Sequence, residues 1–390
     1  MYQLIRLAVA LPFVALTYYF LRRLIGGRRL RNLLTAFFVL IVFGYPLADA
    51  LSRRSVDGWT RNLVTLGFYC LPFVLYLGPV AILSELVIWL LRRSNCISAD
   101  ALNRPAWRAG RFWLPMILPA VIVCVGAVNN TRLVVREYSV AIPRKSSTLR
   151  HLKIVFASDF HLGQFTEENL VLRFAERVNA QNPDIVLIGG DVQGGDLPGE
   201  DLDRFSEHFR RIQSKYGVYA VTGNHDIRAG VNAEFFARSG MKLLRDSVEK
   251  IDEALYLVGR DDRLSGTRKP TADLVRDIQE NLPIVLVDHR PEDLEGVSRT
   301  RVDLQLSGHT HDWQFFPLNL IPSEEFQLSW GYLKNRETQF IVTSGVELTR
   351  PPVRTAGLSE ILVINVQFRD NAGAASRDLS TDGELSQSVH

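Results

Sequence analysis

Apolar residues follow two different rhythms along this chain. Through the first third they form long runs, about 4–21, 33–51, 63–91 and 112–128, broken by clusters of arginine. A helix needs roughly 20 apolar residues to cross the hydrocarbon core of a bilayer. The pattern therefore predicts a helical transmembrane region of about four spans over 1–130. The third run exceeds one crossing and predicts a tilt, or a break at Pro72 or Pro79. The first run lacks a small-residue cleavage site and is followed by further runs, which predicts a retained helix rather than a signal peptide.

Beyond about 131 the runs shorten and read as a soluble α/β domain. Leu133 to Ile142, within a polar connector over 129–152, is strand-like. Lys153 to Ser158, Asp184 to Gly190 and Val218 to Thr222 read as buried strands, with helical patterns over about 167–180 and 201–214 between them. This is strand–helix–strand–helix–strand at the size of βαβ units. Further strands are predicted at 255–259, 284–287, 302–306, 339–343 and 360–366, which makes a pair of mixed sheets flanked by helices. A catalytic domain over 131–368 is expected, and the Ser, Gly, Asp and Ala content of 369–390 predicts a disordered tail.

Charge refines the membrane half. The loop between the first two runs holds Arg22, Arg23, Arg28, Arg29 and Arg31, and the loop before the last run holds Arg92, Arg93, Arg104, Arg108 and Arg111. The opposite side holds Arg6, Arg53, Arg54, Arg61, Arg132 and Arg136, so the count is ten against six. The positive-inside rule then places the soluble domain outside the cytoplasm, on an integral protein of the inner or plasma membrane. Glu85, inside the third run, is read as lying near a helix end or break rather than as a functional carboxylate. Trp89, Trp107 and Trp113 fit interfacial anchors. A formal charge of +3 gives no argument for a nucleic-acid partner. The cysteines, Cys70, Cys96 and Cys124, all precede the soluble part and supply neither a disulfide framework nor a zinc site there.

The chemistry lies just past the strand ends, where open α/β sheets hold their ligands. Asp159-Phe160-His161 follows the first buried strand and Gly190-Asp191 the second. Gly223-Asn224-His225-Asp226 follows the third. Asp288-His289-Arg290-Pro291 and Gly308-His309-Thr310-His311 follow two of the later ones. One Asp-x-His would be weak. Five oxygen-and-imidazole groups in order, each behind a predicted strand, are poorly explained by chance.

These motifs resemble those of the calcineurin-like metallophosphoesterase superfamily, whose ordered pattern is D-x-H, G-D, G-N-H-[DE], H and G-H-x-H. The resemblance covers roughly 150–367 and is similar in its connector to a membrane-associated bacterial branch. It is looser from Gly345 to Glu360, where Val-Glu-Leu-Thr stands in place of a glycine-rich stretch. The resemblance implies a metallophosphoesterase-type β-sandwich and two divalent metal ions. Asp159, His161, Asp191 and His311 would hold one, and Asp191, Asn224, His289 and His309 the other, with Asp191 bridging. Mixed carboxylate and imidazole donors suit Mn, Fe or Zn. It further implies a hydroxide bridging the ions as nucleophile, His225 as acid or charge stabiliser at the leaving oxygen, and Asp226 holding the His225 ring. Val192-Gln193 replaces the second acidic residue common after Gly-Asp. Trp313, Phe315 and Phe316 read first as a core-packed strand and second as an apolar lip for a lipid-bearing substrate. Arg228, Arg290 and Arg354 are weaker candidates for steadying a phosphate.

The expected partners are a phosphorylated small-molecule or lipid substrate and the bilayer. A pyrophosphatase acting on a UDP-linked acylated sugar is an alternative that requires a cytoplasmic site. A transporter with a regulatory phosphoesterase domain finds little support in a single embedded carboxylate.

Overall fold

The computed structural model describes residues 2–370 apart from 55, 57, 196–198, 280 and 322; side chains of 2–10, 99, 199 and 200 are not described. The predicted tail falls outside these residues from 371 onward. Arg369 and Asp370, the first two residues of that tail, are ordered: Arg369 ends the last strand, and Asp370 Oδ1 lies 2.5 Å from Arg144 Nε.

Among the described residues six helices come first: α1 (Tyr2–Leu24), α2 (Arg28–Leu51), α3 (Gly58–Phe68), α4 (Cys70–Arg93), α5 (Ala99–Asn103) and α6 (Pro105–Thr131). Arg28–Leu51, Gly58–Arg93 and Pro105–Thr131 are long and apolar enough to cross a membrane; α1 packs against α4 and α6. The third apolar run does break, but at Tyr69. Pro72 lies in the first turn of α4, where a missing N–H is tolerated, and Pro79 stays within the helix. Glu85 is not near a free end: it accepts both Arg111 Nε (2.9 Å) and Nη2 (2.6 Å) from α6. This bidentate ion pair lets a carboxylate remain in an apolar helix. The bundle has two distinct ends. Arg108 Nη2 donates to the Leu24 carbonyl at 2.9 Å, so the two arginine-rich loops lie together. At the other end Gln164 Nε2 donates to the Ser52 carbonyl at 2.6 Å, joining the bundle to the catalytic domain.

Twelve strands follow among the described residues: β1 (Leu133–Pro143), β2 (His151–Ala157), β3 (Ile185–Ile188), β4 (Val218–Val221), β5 (Met241–Leu244), β6 (Ser247–Ile251), β7 (Leu255–Gly259), β8 (Ile284–Val287), β9 (Leu304–Ser307), β10 (Gly331–Asn335), β11 (Thr338–Val342) and β12 (Ser359–Arg369). They form two six-stranded sheets, β1-β12-β2-β3-β4-β5 and β10-β11-β9-β8-β7-β6. Strands β2 to β5 run parallel, as do β7 to β9 with β11. Ile154, Phe156, Leu187, Val285, Leu306 and Leu362 meet in the dry layer between the sheets. Helices α7 (Leu170–Ala180), α8 (Gly199–Phe209), α9 (Asn224–Ala229) and α10 (Ala233–Arg238) follow strands of the first sheet; α11 (Thr271–Arg276) and α12 (Leu294–Ser298) follow strands of the second. The predicted buried strands match because each is apolar on both faces. Strands β5, β6 and β10 were not legible, since exposed and polar residues interrupt them. The connector does more than link: β1 pairs parallel with β12 over its whole length.

Candidate metal centre

Parallel strands converge on one edge of the sandwich, and the loops leaving them carry every predicted ligand. Asp159 and His161 follow β2, Asp191 follows β3, Asn224 opens α9 after β4, His289 follows β8, and His309 and His311 follow β9. Three triads of donor atoms lie within 4.8 Å of one another: Asp159, His161 and His311; His161, Asp191 and His225; Asp191, His289 and His309. Asp191 and His161 are each shared by two triads, so the group is continuous.

The backbone is bent to achieve this. Asp159 (φ 61°), His161 (47°), Asp191 (51°), His309 (74°) and His311 (54°) all occupy the left-handed region. Each such residue costs about 1–3 kcal/mol and persists only where its surroundings over-determine it. Glycine makes room at Gly345, where a Cβ would come within 2.8 Å of Asp159 Cβ.

Distances distinguish co-ligands from hydrogen-bond partners. His161 Nε2 lies 3.1 Å from His311 Nε2 and 3.7 Å from Asp159 Oδ1, which is itself 3.6 Å from His311 Nε2. His289 Nε2 is 3.2 Å from Asp191 Oδ2, while its Nδ1 is tied to the Gly189 carbonyl at 2.8 Å. That tie fixes the ring and leaves Nε2 as the atom that could ligate. Asp159 Oδ1, Asn224 Oδ1 and His289 Nε2 are buried without a protein partner. Such orphaned acceptors are costly, and two divalent ions would satisfy all three. The donor set therefore fits the metal pair.

Electrostatics agrees. Burial lowers His161 well below the ordinary imidazole range against the opposing pull of Asp191; burial, with His289 and Arg290, lowers His309 to about 2, and burial likewise lowers His311. All three are neutral, as metal ligation requires. Burial also works against a charged His289, but the adjacent Asp191 carboxylate overcomes it and pushes the ring up to about 10. A cation is thus favoured beside Asp191, the role a metal would take over.

His225 is partly buried, its ring 4.7 Å from that of His161, with its amide donating to Asp191 Oδ1 at 2.7 Å. Burial lowers it as well. Asp226 does not hold the His225 ring. Its carboxylate accepts the amides of Gly223 (2.8 Å), Gln193 (2.8 Å) and Val192 (3.4 Å), stitching the loops after β3 and β4 together. Burial and Asp191 push Asp226 up to about 7.

The three arginines differ. Arg228 is exposed. Arg290 is buried, donates to Asp262 Oδ2 at 2.8 Å and places Nη1 3.2 Å from His309 Nε2. Arg354 is fully buried and donates to the carbonyls of Gly345 and Glu347. Trp313, Phe315 and Phe316 do not form a strand. His311–Trp313 is a 3-10 turn, Phe315 is buried, and Trp313 and Phe316 are exposed.

Two contributors had no signal in the motifs. Asp262 anchors Arg290, and Glu347 joins the centre to the helices: its amide donates to the Asp159 carbonyl at 2.9 Å and its carboxylate accepts Asn130 Nδ2 of α6 at 2.5 Å. A glutamate in an otherwise apolar Gly-Val-Glu-Leu stretch was the available clue.

Residues 152–313 match the family model described as calcineurin-like phosphoesterase. An uncharacterized metallophosphoesterase of Campylobacter jejuni is 28% identical over 66% of this chain and 70% of its own length. A transmembrane protein with metallophosphoesterase domain from Danio rerio is 27% identical over 87% of this chain and 83% of its own. An uncharacterized metallophosphoesterase of Aquifex aeolicus is 27% identical over 64% of this chain and 99% of its own. With its candidate ligand loops in that order behind a bundle of apolar helices, the chain carries over residues 152–313 a region similar to the calcineurin-like phosphoesterases, which supports a metal-dependent phosphoester hydrolase associated with a membrane.

Proposed function

We propose that the chain hydrolyses a phosphoester or pyrophosphate bond of a lipid- or nucleotide-linked substrate held at the membrane surface. The observation that carries this is Glu347, whose hydrogen bonds to Asp159 and Asn130 leave Asp159, a ligand in this reading, one residue away from the last turn of α6. An apolar cavity of about 780 Å³ between α2, α3, α4 and α6, lined by Leu47, Tyr69, Phe73 and Val123 among others, offers room for a chain.

In this reading Asp159, His161, Asp191 and His311 hold one ion, and Asp191, Asn224, His289 and His309 the other. Bound there, Mn, Fe or Zn would supply Lewis acidity toward water and phosphoryl oxygens. The protein does the rest. His225, neutral and carried on the Asp191-bound loop, supplies an N–H to the leaving oxygen. Asp226 keeps that loop in register through the three amides it binds. Arg290, held by Asp262, presents its guanidinium beside His309, where a phosphate would gain a charge-assisted contact.

The arginine-rich end of the bundle lies opposite the catalytic domain, which favours an extracytoplasmic site. The test is phosphate release from native membrane lipid extract by the full chain and by Asp191→Ala. Release by the native chain alone supports the lipid reading. Cleavage of soluble nucleotide diphosphates with lipids untouched removes it.

A further inference from the structure

The catalytic domain carries an apolar surface at a place its core does not explain. Of the eight large apolar side chains exposed beyond residue 131 among the described residues, five fall between 313 and 321: Trp313, Phe316, Leu318, Leu320 and Ile321. The stretch reads W-Q-F-F-P-L-N-L-I, with no charged residue. Leu320 and Ile321 are 66% and 61% exposed, more than a soluble surface ordinarily gives to adjacent aliphatic residues.

The same stretch is fastened to the bundle. Tyr76 of α4 donates its hydroxyl to the Phe316 carbonyl at 2.7 Å, and the Phe316 amide donates to Thr355 Oγ1 at 3.0 Å. Phe315 is buried against Val123 of α6 and Val353. On either side of Val123, Val121 and Val125 are half-exposed on a helix long and apolar enough to span a bilayer. The apolar surface of 313–321 therefore continues a surface that faces hydrocarbon. Its root is the ligand His311, which begins the turn ending at Trp313.

We propose that residues 313–321 are a membrane-inserted loop, a monotopic contact resting in the leaflet beside α4 and α6. Bilayer lipid is the occupant, because the loop shares its anchoring residues with the spanning helices and lacks the charge that would keep it in water. Tryptophan and short aliphatic side chains on an uncharged turn suit the headgroup–acyl boundary, about 5–10 Å deep. The loop would hold the edge of the metal centre at the lipid surface whichever phosphoester is cleaved, so the inference does not rest on the substrate.

The test is spin-label accessibility on the full chain in lipid nanodiscs. Leu320→Cys is labelled in a background with Cys70, Cys96 and Cys124 replaced by serine. Val125→Cys serves as the lipid-facing reference and Glu337→Cys, on the exposed β10–β11 turn, as the aqueous one. The expected result is an oxygen-to-nickel-chelate accessibility ratio at position 320 several-fold above that at 337 and approaching that at 125. A ratio equal to that at 337 overturns the proposal. Shielding from both reagents also overturns it, since protein would then cover the loop. As a second readout, dibrominated lipid should quench the fluorescence lost on Trp313→Phe; an unquenched Trp313 contribution counts against insertion.

Discussion

The side-chain amide of Asn130, in the last turn of α6, donates to the buried carboxylate of Glu347 at 2.5 Å. Because the Glu347 amide also holds the Asp159 carbonyl, the membrane helices reach a residue of the proposed metal centre through one residue.

This contact predicts a pH-dependent stability. Burial raises Glu347 above the ordinary glutamate value. The folded chain therefore holds the proton more tightly than the unfolded chain does. The stability from this group is full below the ordinary glutamate value and is lost as pH rises through the raised one. Asn130→Ala removes a donor that offsets burial, so its loss of Tm relative to the native chain should grow from pH 5 to pH 8. Glu347 Oε1 keeps the Leu348 amide at 3.0 Å, so the loss is that of one hydrogen bond, about 0.5–1.5 kcal/mol. Glu347→Gln keeps an acceptor without the charge and should flatten the dependence. Thermal melts across pH check both.

His225 is separable from ligation. Its ring shares a donor triad with His161 and Asp191, and the role proposed for it is that of proton donor rather than ligand. His225→Ala should lower kcat by about 10²–10⁴, the range for loss of a proton donor, with two ions per chain retained. Steady-state kinetics beside elemental analysis checks this; loss of metal in step with activity would make His225 a ligand instead.

The Glu85–Arg111 pair predicts non-additivity in the bundle. Glu85→Gln leaves Arg111 without its carboxylate and should lower the Tm of the detergent-solubilised chain. Replacing both by leucine should recover most of the loss, because the pair trades desolvation against attraction. A double-mutant cycle in melting temperature measures the coupling.

Much of the site was legible in the sequence because each ligand sits where a buried strand must end. Asp159, Asp191, Asn224, His289 and His309 follow runs apolar on both faces, and the glycines beside them mark the bends. What stayed hidden depends on contacts between distant segments. The role of Asp226 is set by amides of the loop after β3, 33 and 34 positions away. The break at Tyr69 lies between Phe68, whose ring packs on Phe165 of the catalytic domain, and Pro72, which cannot donate to the Phe68 carbonyl. Trp313 and Phe316 looked like core residues because composition cannot tell a buried aromatic from one exposed beside apolar helices.

The central claim is that Asp191 bridges a metal pair that performs hydrolysis. The most direct measurement is manganese-dependent hydrolysis of bis-p-nitrophenyl phosphate by the full chain and by Asp191→Ala, with bound metal counted in each. The account predicts two ions per chain and turnover that chelator abolishes and manganese restores. In Asp191→Ala both the pair and the turnover should be lost. Equal activity and equal metal content in the two proteins would contradict it.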